Sequence, residues 1–161
     1  MYKAIDVAWK VLSSAKRKDK KISNLQLQKL TYIAHGYFLG WKDKPLISDP
    51  IEAWTYGPVI SSIYHQFKEY GDKKIQGNPN SVATKLDNDK DALDCIDGIM
   101  DLYGDLDAME LVNLTHQKNT PWDEVWSNQV GNTWNSEIIN DTLIKNHYRK
   151  VISDPSMVSG L

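Results

Sequence analysis

The chain has 161 residues, 19 of them basic and 21 acidic, so its formal charge is −2, and 41% of it is hydrophobic. That length and balance describe one globular domain with its own core and exclude wholesale disorder. A single cysteine, Cys95, excludes an internal disulfide and any multi-cysteine metal site, and the near-zero charge argues against general nucleic-acid binding.

A first helix is predicted over residues 2–15. Ile5, Ala8, Trp9, Leu12 and Ala15 recur at three- and four-residue spacing and form one apolar stripe. The run Lys16-Arg17-Lys18-Asp19-Lys20-Lys21 ends it, with five basic residues in six. No aromatic or glycine is interleaved with these cations, so the run reads as a solvated loop in preference to a phosphate-contacting patch. Ser23 and Gln26 have capping-box spacing ahead of Leu27, Leu30, Ala34 and Phe38. The second helix is expected to stop near Gly40. Tyr32, Ile33 and Tyr37 make it apolar around much of its circumference, as in a central helix packed on several sides.

Pro45, Pro50 and Gly57 break residues 41–57, where Ile51 to Tyr56 can be extended or an irregular connector. Gly57-Pro58 is expected to open a third helix, with Ile60, Ile63, Tyr64 and Phe67 on its buried face and Gly71 as its stop. Residues 72–88 are polar, with a turn at residues 77–80 and a weak strand signal from Val82 to Leu86. A fourth helix is predicted over 89–103. Asp107 with Glu110 and Thr120 with Pro121 open two more, the latter presenting Trp122, Val125 and Trp126 on one face. Residues 131–135 read as a linker, and a last helix is expected over 136–152. The predicted architecture is mainly α: a single compact, irregular bundle of six or seven helices over residues 1–152, with room for a short β element. Residues 153–161 are expected to form a flexible tail.

Chemistry is sparse. No apolar run approaches the roughly 18 residues of a membrane span, and residues 1–9 are no signal peptide, so the expected location is the cytoplasm. His35, His65, His116 and His147 lie too far apart for a helical metal pair. Cys95 sits on an apolar helix face and reads as packing. The carboxylates Asp87, Asp89, Asp91 and Asp94 read as a helix-starting turn. No catalytic, cofactor-binding or metal-binding residue is nominated, and no enzyme is expected. Six Trp and eight Tyr against two Phe are the unusual counts, because these rings join an apolar body to a polar handle and suit partner interfaces. They concentrate in Glu52-Ala53-Trp54-Thr55-Tyr56-Gly57-Pro58-Val59 and in Thr115-His116-Gln117-Lys118-Asn119-Thr120-Pro121-Trp122.

With Leu27-Gln28-Lys29-Leu30 and Tyr32, then Glu52-Ala53-Trp54 through Tyr56-Gly57-Pro58-Val59, Tyr64, Phe67, Tyr70-Gly71, Leu111, Thr115-His116 and Pro121-Trp122, the chain resembles the Panacea domain family. The family is also described as SocA-like or phage-associated GepA-like antitoxins. The order and spacing agree from about residue 4 to residue 150, with Gln117-Lys118 standing where the family pattern leads to an acidic residue. The resemblance implies an antitoxin, often carried on prophages, that neutralises a protein toxin encoded beside it by direct contact. Trp54, Tyr56, Trp122 and Trp126 are the candidate partner-binding residues. Two alternatives stay open: an adaptor delivering the toxin to an AAA+ protease, with residues 153–161 as the engaging tail, and a nucleic-acid-binding regulator using residues 16–21.

Overall fold

The computed structural model describes residues 1–128 and 137–157. Among these, seven α-helices and a three-stranded antiparallel sheet surround one continuous buried cluster. The order is α1 (Ala4–Arg17), α2 (Asn24–Lys42), β1 (Glu52–Trp54), β2 (Gly57–Val59), α3 (Ser61–Phe67), α4 (Lys90–Tyr103), α5 (Ala108–Thr115), α6 (Pro121–Ser127), β3 (Glu137–Ile138) and α7 (Asp141–Ser153). The mainly α bundle with a minor β element is therefore the observed architecture. No described helix is long and apolar enough to cross a membrane.

α2 is the axis of the molecule and packs against α1, α3, α4, α5, α7 and β2. Its start is the reciprocal box read from the sequence: Gln26 N–H donates to Ser23 Oγ at 3.3 Å and Ser23 N–H to Gln26 Oε1 at 2.9 Å. It runs past Gly40, the expected stop, and ends at Asp43 in the left-handed conformation, φ 57°. The reason is packing. A Cβ on Gly40 would come within 3.2 Å of the α7 backbone, and one on Gly36 would overlap the Tyr148 ring. These two glycines, one turn apart, let α7 close onto α2. His35 immediately precedes Gly36 and is buried; its Nδ1 accepts the N–H groups of Leu46 and Ile47 at 3.3 Å each. Nε2–H then faces the Asp141 carboxylate at 2.9 Å, tying α2 to the start of α7.

Three expectations are corrected. Gly57-Pro58 does not open a helix. It is the strand β2, paired in register Trp54↔Gly57, Ala53↔Pro58 and Glu52↔Val59, and α3 begins at Ser61. Proline is tolerated there because β2 is a sheet edge. The last helix does not start at residue 136: Ile138 pairs with Glu52, Ile139 N–H donates to Ile51 at 2.8 Å, and α7 begins only after the Asn140 cap. Residues 82–86 form no strand; 3-10 turns occupy Pro79–Ser81 and Lys85–Asn88. The linker expected at 131–135 lies outside the described residues, as do residues 158–161 of the expected tail. Within that tail, Pro155–Met157 forms a 3-10 turn.

Gly36 in α2 and Gly98 in α4 provide a check of opposite sign. Gly98 is mid-helix with open space where its Cβ would stand. In urea denaturation, Gly36→Ala is expected to cost about 1–3 kcal/mol through overlap with Tyr148. Gly98→Ala is expected to gain up to about 1 kcal/mol from helix propensity. Equal signs would refute the proposed role of Gly36 in the α2–α7 approach.

Candidate functional site

The two aromatic clusters of the sequence meet at one corner. β1 and β2 form a hairpin whose two-residue connection, Thr55-Tyr56, is followed by Gly57 at φ +101°, a conformation that favours glycine. Gly57 is also packed closely, because a Cβ there would stand 3.2 Å from Thr115 Oγ1 and 3.3 Å from Lys29 Nζ. Against the hairpin lies α6, started by Thr120, whose hydroxyl caps Asp123 N–H, and by Pro121. Trp122 Nε1–H donates to the Trp54 carbonyl at 2.7 Å and joins the two clusters directly.

Around that bond the rings form a connected layer. Trp122 stacks on Trp126, centroids 5.3 Å apart at 16°, and meets His116 at 5.1 Å. Trp54 meets Tyr64 edge-on at 5.2 Å and donates its own Nε1–H to Glu52 at 2.7 Å. The four nominated aromatics thus differ in exposure. Trp122 is 7% exposed and pins the corner, Trp54 and Trp126 are half-buried, and Tyr56 at the hairpin tip is 61% exposed. Tyr64, expected on the buried face of α3, is 37% exposed and belongs to this layer. Its neighbour Ile63, completely buried, holds α3 in place.

The support beneath the corner comes from α2. Gln28 Oε1 accepts Ile60 N–H at 2.9 Å, and Lys29 Nζ donates to the Pro58 carbonyl at 2.8 Å. Asn24 reaches the Tyr64 carbonyl at 3.3 Å. Lys29 has no solvent exposure, and burial drives its pKa down to about 7. Sequence reasoning gave Gln28 and Lys29 no role. The available signal was a pair of adjacent polar residues in the second turn of a helix that is apolar on most sides.

The other sequence candidates fall away from this corner. The cations at the end of α1 and just after it face α4 and the residues that follow it: Arg17 binds Asp97 at 2.7 Å, Lys18 binds Asp101 at 2.6 Å, and Lys20 binds Asp105 at 3.2 Å. Lys16 donates to Asn78 at 3.3 Å. Cys95 is turned toward the Ala34 carbonyl, and burial pushes its thiol up to about 12, so it carries no thiolate at neutral pH. Asp87 and Asp89 serve as local caps and partners of Lys10 and Tyr2. Among the described residues no group of three or more His, Cys, Asp or Glu is placed to hold a metal ion.

Two comparisons bear on this architecture. The family described as "Antitoxin SocA-like, Panacea domain" matches residues 27–123, a span that runs from the Leu27 turn of α2 through Trp54, Tyr56 and Trp122. The chain is also 33% identical over 151 residues to Antitoxin SocA of Caulobacter vibrioides (strain NA1000 / CB15N), covering 89% of this chain and 80% of that protein. No solved structure matches the chain.

Two measurements separate support from surface. Trp122→Phe, which deletes the bond to the Trp54 carbonyl, is expected to lower stability by about 1–2 kcal/mol, whereas Tyr56→Ala stays within about 0.5 kcal/mol. Comparable losses would contradict the division between pin and exposed tip. Lys29 also predicts a pH dependence. Unfolded, it keeps its proton to its ordinary 10.5; folded, it releases it near 7. The unfolded chain therefore binds more protons between these values, and stability rises with pH. Above pH 9 the buried Cys95 thiol opposes the rise, because the folded state retains a proton that the unfolded chain loses. From pH 7 to 9 the gain is expected to be about 2 kcal/mol in chemical denaturation and to be absent in Lys29→Met. Parallel slopes would exclude Lys29 as the source.

Proposed function

Because the chain belongs to the SocA-like, Panacea-domain antitoxin family, we propose that it neutralises a cognate protein toxin by direct contact through the aromatic corner. The observation that carries this reading is the uneven exposure of that corner. Tyr56, Tyr64, Trp54 and Trp126 offer large rings to the surface, while Trp122, Gly57, Gln28 and Lys29 hold the backbone beneath them. Rings fixed before contact lose little conformational freedom on binding, and Trp and Tyr are the residues most enriched among binding hot spots. Neutralisation needs no bond chemistry from the antitoxin: covering the toxin's active surface suffices, and its potency is a binding free energy. Nanomolar affinity corresponds to about −12 kcal/mol, which an interface of ordinary size supplies.

The test is growth of bacteria expressing the product of the neighbouring open reading frame, with and without this chain. Arrest relieved by the wild type and not by Trp54→Ala or Tyr56→Ala, with both variants retaining the wild-type circular-dichroism melt, is the expected result. The purified pair should then lose at least about tenfold in affinity per substitution, or about 1.4 kcal/mol. Full relief by both variants would remove the corner from the toxin contact. A toxic neighbour unrelieved by the wild type would remove that partner.

A further inference from the structure

One ring nitrogen of the aromatic corner is buried without a partner. His116 closes α5, where its backbone N–H donates to the Val112 carbonyl at 3.1 Å. Its ring lies against Trp122, centroids 5.1 Å apart at 37°. The ring is only partly buried: Nδ1 is shut off from solvent and has no hydrogen-bond partner among the described residues, while Nε2 is not buried. Buried polar atoms of native proteins are nearly always paired, so an orphan among well-paired neighbours calls for a reason. The neighbouring rings differ in this respect. Trp54 donates its indole N–H to Glu52, and Trp122 donates its own to the Trp54 carbonyl, so neither is free for a partner.

Given the corner as the toxin contact, on which this rests, we propose that His116 is a further contact residue, donating its Nε2–H to an acceptor oxygen of the toxin. A neutral imidazole carries one proton, on Nδ1 or on Nε2. On Nδ1 it would be a buried donor with no acceptor, left with the full desolvation cost of an N–H. Among buried backbone groups an orphaned N–H is rarer than an under-satisfied acceptor, and the same asymmetry applies to the ring. On Nε2 the proton faces outward, and Nδ1 keeps only an unmatched lone pair. The fold therefore makes the outward edge of the ring a donor, and the group that completes it is an oxygen with a free lone pair. The ring is also held before contact. Trp122, fixed by its bond to Trp54, lies against it, and the preceding Thr115 is buried and donates to the Leu111 carbonyl at 2.9 Å. A residue that costs the free protein stability and adds to binding is what a contact position requires and a purely structural one does not.

The purified pair of this chain with the product of the neighbouring open reading frame tests the donor. His116→Phe keeps a ring against Trp122 and removes both nitrogens. It is expected to lose at least about tenfold in affinity, while its melting temperature stays level or rises because the orphan is gone. His116→Gln, whose amide nitrogen stands near the place of Nε2, is expected to recover most of that affinity. A second measurement needs no toxin: ring-nitrogen NMR of the free wild type is expected to show the neutral imidazole protonated on Nε2 and bare on Nδ1. A proton on Nδ1 overturns the proposal. So does a His116→Phe variant that binds as tightly as the wild type, or one whose melting temperature falls, since the nitrogens would then serve the fold. Failure of the underlying reading looks different: the wild type does not bind, or Trp54→Ala and Tyr56→Ala bind unchanged, whatever stands at position 116.

Discussion

The aromatic corner depends on a lysine amine buried where water does not reach it. Lys29 donates to the carbonyl of Pro58, while its neighbour Gln28 accepts the N–H of Ile60. Together these residues hold a segment whose proline cannot donate to a sheet and whose glycine is in a left-handed conformation. Taking the amine out of water disfavours its charged form, and this desolvation depresses its pKa. The arrangement costs stability, yet it holds β2 in register, and β2 positions Tyr56, Trp54 and, through Trp54, Trp122.

The same helix governs the opposite side of the molecule by subtraction. Gly36 and Gly40 remove two side chains from α2, so α7 approaches closely enough for Tyr148 to lie over the gap. His35 is then enclosed between α2, the Leu46-Ile47 segment and Asp141, with both ring nitrogens engaged. A histidine that could be taken for a ligand is here a structural joint. α2 therefore acts on both sides of the molecule: its first half supports the aromatic corner, and its second half seats α7.

Electrostatics explain why a chain with a dense basic run need not present a basic face. Arg17, Lys18 and Lys20 lie along α4, whose outward carboxylates Asp97 and Asp101, with Asp105 just beyond, pair with them. Each exposed pair adds little stability on its own. Their collective consequence is the field: charge dense in the sequence is locally neutralised on the surface, leaving less of the unpaired positive potential that phosphate binding requires.

What the sequence by itself determined is what depends on local spacing. Helical period, the Ser23–Gln26 and Asp107–Glu110 boxes, the Thr120-Pro121 start and the central character of α2 are written in residues a few positions apart, and the helices follow them. The two aromatic clusters and the family were legible for the same reason, as short ordered motifs. Only the tertiary structure decided which residues meet. Gly57-Pro58 has the local appearance of a helix start, but Gln28 and Lys29, some thirty positions away, capture it as a strand. Residues 137–139 fit a helical stripe until β1 takes their backbone groups. Tyr64 reads as core until Trp54 gives it a partner at the surface. In each case a hydrogen bond or ring contact between distant segments outweighs a local preference worth under about 1 kcal/mol per residue, and no pattern of neighbouring residues records it.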